Sequence, residues 1–229
     1  SGGAVYFRSA AALTVSSSTF GSNYSANGGA ALHVQNSATS TTVTSSGFSS
    51  NTGKEGGAVN LAAGTLSVSE STFDGNYASG NGGALRFSVG SGKATLSNVT
   101  VSGNNAGGSG GGLWFGGSSS TTTLTNLTIA DNWASTGSGL TRSAGTVSLR
   151  NTLFSNSGSN CSGTPTSLGN NLESGNTCNL VASGDIVNSS SINLASLASN
   201  GGPTMTRALN VGSSAINAGS STGAPTTDQ

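Results

Sequence analysis

Charge is the scarcest ingredient of this chain. Only 6% of its residues are charged, against roughly 25% in ordinary globular proteins, and seven basic side chains balance seven acidic ones. Without a basic stripe to track phosphates, nucleic acid is not an expected partner. Long apolar runs are also missing, and none approaches the ~20 residues that a membrane-spanning helix needs. Membrane insertion is therefore not expected, and no signal peptide is visible. No run sustains a period of 3.6, and β-branched residues are plentiful, so helices are not expected either. His33 is the only histidine, which argues against a metal site and leaves no Ser-His-Asp arrangement in view.

What fills the chain instead is glycine, 37 residues of it, beside Ser, Thr and Asn. Such a bias is common in disordered linkers. Yet 33% of the 229 residues are hydrophobic, and they recur in short alternating runs, as in strands that bury one face. The chain is long enough to enclose a sizeable core. It enters at Ser1 in the middle of a motif, as a mature fragment or an excised piece of a longer precursor would.

Repeats organise it. Glycine-pair motifs begin at Gly2, Gly28, Gly56, Gly82, Gly110 and Gly137, at intervals of 26, 28, 26, 28 and 27 residues. A second motif runs in phase with them, an apolar residue followed three positions later by Asn. It occurs at Phe20 with Asn23, Phe48 with Asn51, Phe73 with Asn76, Val101 with Asn104 and Ile129 with Asn132. At Phe154 the rule breaks, because Asn156 comes one residue early. Alternation within each unit, such as Leu13 with Val15 and Val59 with Leu61, marks its strands.

A unit of about 27 residues cannot bury its own apolar side, but units stacked in parallel at about 4.8 Å per coil can. The expected fold is all-β, a parallel β-solenoid. Phe20, Phe48, Phe73, Val101, Ile129 and Phe154 should form an apolar ladder inside. Asn23, Asn51, Asn76, Asn104 and Asn132 should form a corner ladder that bonds turn backbone on neighbouring coils. The glycine pairs should provide positive-φ or closely approached backbone at another corner. The extra Ala31 shifts the alternation of its unit and points to a bulge.

Cys161 and Cys178 sit in a Gly- and Asn-rich stretch where nothing completes a four-ligand metal site. A disulfide is the favoured reading, with two reduced thiols as the alternative. A disulfide implies an oxidising, extracytoplasmic compartment, and closing such a loop stabilises by roughly 3 kcal/mol.

The "GGA-apolar" and "FxxN" motifs over residues 1–157 resemble the repeats of the chlamydial polymorphic outer membrane proteins, surface adhesins with right-handed β-helical passengers. The stretches "NCSGTPTSLGNNLESGNTCNL", "LASNGGPTMTRALNVGSSAINAG" and "TTDQ" are similar to the choice-of-anchor Q proteins of the pectin-lyase-like superfamily. Together they imply one right-handed, single-stranded parallel β-helix domain. Residues 1–157 would be its repeated coils, 158–182 a disulfide-framed, hairpin-like excursion, and 183–229 its closing coils. The resemblance also implies an extracellular or cell-surface location.

Polysaccharide cleavage, common in that superfamily, needs clustered carboxylates or Ca²⁺-binding acids with a base. Asp74 and Asp131 stand two coils apart at different phases and need not converge. Glu55 beside Lys54 reads as a solvated surface pair, and His33 as an ordinary exposed histidine. No catalytic residue, metal or organic cofactor is expected. Tyr6 and Trp114 share an outward position, either covered surface aromatics or a sugar-stacking surface. Outward hydroxyl pairs recur on five coils: Thr14 and Ser16, Thr42 and Thr44, Ser67 and Ser69, Thr95 and Ser97, Thr123 and Thr125. They would form a flat grid, about 4.8 by 6.7 Å, resembling the faces of ice-binding solenoids. The function expected is a non-enzymatic, secreted structural or adhesive surface module. Its partners would be copies of itself end to end in a filament, or a host or cell-surface ligand or glycan. Polysaccharide binding or cleavage and ice binding are the alternatives.

Overall fold

The computed structural model describes residues 3–35 and 38–229, so Gly2, which opens the first glycine pair, lies outside it. The described residues contain no helix. One sheet stacks seven parallel strands: Val5–Phe7, Leu32–Val34, Val59–Leu61, Leu85–Ser88, Leu113–Gly116, Leu140–Arg142 and Cys161–Ser162. A second sheet runs through Ala12–Ser16, Ser40–Thr44, Thr65–Asp74, Lys93–Ser102, Thr121–Ala130, Thr146–Arg150 and Thr166–Ser167. A third and narrower one holds Tyr24–Ser25, Thr52–Gly53, Tyr77–Ala78 and Asn105–Ala106. Each coil gives one strand to each of the first two sheets, and the first four coils give one to the third as well, so the chain is a parallel β-solenoid with coils of about 27 residues.

Alternation sorts the side chains. Val15, Val43, Val68, Leu96, Leu124 and Leu149 pair in register as one buried column. Phe20, Phe48, Phe73, Val101, Ile129 and Phe154 pair as another. Its first three rings stack nearly parallel, with centroids 5.1 and 4.8 Å apart, so the coil spacing itself sets the offset stacking that aromatic rings favour. Phe20 is half-buried, whereas Phe48 and Phe73, each between two coils, are fully buried.

The corners explain the small residues. Where the chain bends inside the second sheet it takes a left-handed residue in every coil: Ser17, Ser45, Glu70, Asn98, Asn126 and Asn151, with φ between 44° and 58°. Short polar side chains tolerate this conformation best. At the glycine-pair corner, Gly82 has φ of 70°, and a Cβ on Gly83 would lie 2.0 Å from the Gly111 carbonyl oxygen. The first glycine supplies the turn and the second the close approach. The extra Ala31 is absorbed ahead of its strand, since Leu32 stays in register with Val5 and Val59. Ala31 and Leu32 both donate to the Ala58 carbonyl, but Ala58 and Val59 share the Ala84 carbonyl in the same way. The bulge thus belongs to the corner and not to the insertion.

The end of the chain departs from expectation in two places. Residues 158–182 are not an excursion. Cys161 pairs with Leu140 in the first sheet, Thr166 with Ser148 in the second, and Leu172 with Leu153 beside it. The stretch is a further coil of reduced length, with 21 residues from Leu140 to Cys161 and 17 from Cys161 to Cys178. The Cys161–Cys178 disulfide joins successive turns, its Cα atoms 4.9 Å apart, and both residues are buried in the core cluster. Nor does 183–229 close the solenoid with more coils. After Ile186, which bridges Leu172, the chain forms an antiparallel pair, Leu194–Ala198 with Thr206–Leu209, and lies along the side of the second sheet as an arm. The outward residues Leu153 and Leu172 seat it through Ile186, Ile192, Leu194 and Ala215. These leucines continue across the strands the outward column of Thr72, Thr100 and Thr128, and the arm covers them as an apolar seat.

Candidate functional site

The asparagine ladder sets the geometry of the face beside it. Asn23 Nδ2 donates to Asn51 Oδ1 at 2.8 Å, and the pattern repeats through Asn76, Asn104 and Asn132 at 2.8–2.9 Å. Each backbone N–H donates to the same oxygen, as from Asn51 to Asn76 Oδ1 at 3.0 Å, and the second Nδ2 hydrogen reaches a core-column carbonyl, as from Asn76 to Phe48. The early Asn156 joins this ladder after all: it accepts from Asn132 at 2.9 Å and donates to Asn160 at 3.0 Å. Asn160 donates in turn to Glu173 Oε1. That carboxyl, fully buried, also accepts from Thr177 N, Thr177 Oγ1 and Cys178 N. Along the ladder each Nδ2 donates to the side-chain oxygen that follows it, so Glu173 closes the ladder at its donor end.

Because a strand alternates, the residue after each ladder asparagine faces out. These residues are Tyr24, Thr52, Tyr77, Asn105 and Trp133, paired in register. The N–H of each of the last four donates to the carbonyl of the ladder asparagine one coil earlier, at 2.8 Å, so the buried ladder fixes the exposed row. Tyr24 is 69%, Tyr77 41% and Trp133 52% exposed, large values for aromatics held by ordered backbone. On one side lie Ser22, Ser50, Gly75, Gly103 and Asp131, and on the other Ala26, Lys54, Ser79, Gly107 and Ser135, all exposed and mostly small. Small neighbours on both sides leave the three rings accessible.

Other faces carry the residues singled out from sequence. Thr14, Thr42, Ser67, Thr95 and Thr123 form one outward hydroxyl column of the second sheet, in register. Ser16, Thr44, Ser69, Ser97 and Thr125 form the other. The two columns stand in register as expected, but they are unevenly open. Only Thr14, Ser16 and Ser67 are exposed, and the other seven are half-buried. Ser69, Ser97 and Thr125 immediately precede Glu70, Asn98 and Asn126, and there the arm comes down: Thr204 Oγ1 donates to the Glu70 carbonyl and Asn98 Nδ2 to the Thr227 carbonyl. Charge borders the pattern: Arg150 follows Thr125 on the next coil, and Lys93 stands in the neighbouring column with Thr121.

Tyr6, His33, Asn60, Arg86 and Trp114 form one outward row of the first sheet. His33 is not exposed, however. It is buried at 2%, 5.3 Å from the Tyr6 ring and 3.3 Å from Asn60 Nδ2, because the Gly28 corner folds over it. Glu55 does not pair with Lys54. It binds Arg86 Nε at 3.1 Å, and the Arg86 guanidinium lies 4.9 Å from the Trp114 ring centre. Trp114 itself lies down over Gly116 and is half-buried.

The arm brings together acids that the sequence keeps apart. Arg207 forms an ion pair with Asp131, and its charge is also felt at Asp74. Burial pushes the Asp74 carboxyl above its ordinary value, and Arg207 opposes that shift. Gln229 stitches the arm down, donating to Thr72 Oγ1 and Thr204 Oγ1 at 2.9 and 2.8 Å. Asn98, Asn151 and Asn170 hold the carbonyls of Thr227, Ser220 and Ala218. Between arm and sheet lies a cavity of about 720 Å³, lined by Asn126, Thr128, Asn151, Leu153 and Arg207 among others. A smaller one, about 340 Å³, lies between Asp74, Thr72, Phe48 and the arm residues Pro203 and Met205. Among the described residues no three His, Cys, Asp or Glu side chains gather as metal ligands do.

The chain matches no family model, no curated protein and no solved structure. Sequence reasoning missed the aromatic row, although its signal was present: Tyr, Thr, Tyr, Asn and Trp follow the five ladder asparagines in turn.

Proposed function

We propose that this chain is a non-enzymatic structural and adhesive module of the extracellular surface, and that it adheres through the face bearing Tyr24, Tyr77 and Trp133. The row of exposed aromatics on a rigid backbone carries this reading. Exposing three large rings forgoes hydrophobic stabilisation of roughly 1.5–3 kcal/mol each, and aromatic side chains dominate the energetics of contact surfaces. The resemblance of the repeats to those of surface adhesins, and a disulfide inside the core, support an extracellular setting.

Polysaccharide cleavage draws some support from Asp74, a carboxyl of raised pKa beside a cavity and a guanidinium. It is the weaker reading, since Asp131 is already paired to Arg207. Ice binding is weaker still. Arg150 and Lys93 border the hydroxyl grid, and seven of its ten residues are half-buried.

The test is retention of the protein on insoluble cell-surface material, comparing the parent with a Tyr24→Ala, Tyr77→Ala, Trp133→Ala triple variant. The parent should be retained, and the triple variant should wash off while melting as the parent does. Equal retention of both would overturn the adhesive role of this face. Release of sugar products that stops on Asp74→Asn would establish cleavage instead.

A further inference from the structure

We infer that the Tyr24–Tyr77–Trp133 row binds an uncharged polysaccharide whose pyranose rings are equatorially linked and extended, as in β-1,4-linked glucans. The inference rests on the adhesive reading above and names what the same row holds. Spacing carries it. Tyr24 and Tyr77 are separated by one coil, at Thr52, and Tyr77 and Trp133 by one coil, at Asn105. Each step of two coils advances about 10 Å along a straight line. In an extended, equatorially linked chain each ring is turned over relative to the last, so the repeat is two rings and close to the same length. Each aromatic therefore meets the same face of every second ring.

The chemistry between the platforms agrees. The C–H face of a pyranose packs on an aromatic ring, whose π-face is electron-rich. Thr52 and Asn105 meet the intervening rings with a hydroxyl and an amide, groups that both donate and accept as sugar hydroxyls do. The polar positions also divide the apolar surface into three islands, unlike the contiguous desolvated centre of a protein interface. The row itself carries no charge; beside it stand Lys54, Asp74, Glu55 paired with Arg86, and Asp131 paired with Arg207, so the signs roughly cancel. An acidic polymer would gain little here. An axially linked chain curves and would leave a straight row of this length.

Calorimetric titration of the full chain with β-1,4-linked glucose oligomers of two to six units tests this. Affinity should climb with length until about five rings span the row, then flatten. The central variant Tyr77→Ala should weaken binding of the five-unit oligomer at least tenfold with unchanged melting. α-1,4-linked oligomers of equal length and polygalacturonate should bind at least tenfold more weakly. A flat length dependence, equal binding of the α-linked series, or no effect of Tyr77→Ala would overturn the inference. If no oligomer binds while the triple alanine variant still loses retention on cell-surface material, the ligand class is wrong and the adhesive reading stands. If retention is unaffected as well, both fall.

Discussion

The coils from Val5 to Phe154 and the arm from Leu194 to Gln229 use the same few residue types and are held in opposite ways. In the coils each backbone group pairs with the next turn, and side chains stack on their own kind in buried columns. The arm pairs mainly with itself, and outward asparagines and threonines of the coils hold its carbonyls one by one. Its apolar seat is small, and Met205, Leu209, Val211 and Ile216 remain exposed. Repetition makes a cooperative body, because each coil completes its neighbour. Docking by single side chains makes an attachment that can open locally while the body stays closed.

The sharpest way to break the body is Phe73→Asp. It places an unpaired charge between Phe48 and Val101, and should cost about 5 kcal/mol or abolish folding. Thr42→Asp, on the outside of the same sheet, should stay within about 0.5 kcal/mol. Thermal melts of the two variants should differ widely; similar curves would contradict the inward column. Asn76→Ala comes next. It strands the Asn51 N–H and Nδ2 donors and the Phe48 carbonyl in a buried site, for roughly 3 kcal/mol in all. A denaturation midpoint equal to that of the parent would show that water replaces the ladder bonds.

The arm should respond separately. Leu172→Ala removes part of its seat and should weaken docking by about 2 kcal/mol. Hydrogen exchange should then speed up across residues 194–209 while the amides of Leu96 and Leu124 remain protected. Uniform acceleration would mean that arm and coils form one cooperative unit.

The same contrast decides what was legible in the sequence. The core columns and the asparagine ladder announce themselves because each position recurs every coil, so Phe73 and Asn76 can be placed from their spacing alone. The last coils shorten, and Cys161 stands where Leu140 stood one turn before, so the period fades although the stacking continues. The arm has no period, and its docking sites were visible only as outward leucines at 153 and 172. For that reason the arm's contacts at Glu70 and Asn98 were not legible either: their period marks them as bends, and only the arm makes them docking points. The aromatic row was hidden for another reason. It repeats at every second coil, so a period of one coil makes Tyr24, Thr52 and Tyr77 look like a variable position. The ladder names the corner, while the residue beside it carries the function proposed here.

The smallest expected effect lies where the two regions meet. Asp74 belongs to the coils, but the arm residues Pro203, Thr204 and Met205 line the space beside it. Burial raises its carboxyl above the ordinary 3.8, the Arg207 charge offsetting part of the shift. Below pH 3.8 the group is protonated both folded and unfolded and costs nothing. As pH rises past 3.8 the unfolded chain gives up its proton first, while the folded chain still holds it. Asp74 therefore lowers stability across that window, and the deficit stays constant above the folded pKa. Asp74→Asn removes this dependence. Melting curves from about pH 3 to about pH 7 should show the variant gaining on the parent as pH rises, by a margin that stops growing once the pH passes the folded pKa. Truncating the arm contact with Met205→Ala should shrink that margin, because less of the carboxyl is covered. A variant that is less stable than the parent near neutral pH would mean that the attraction to Arg207 outweighs burial, and that the arm is held there by charge.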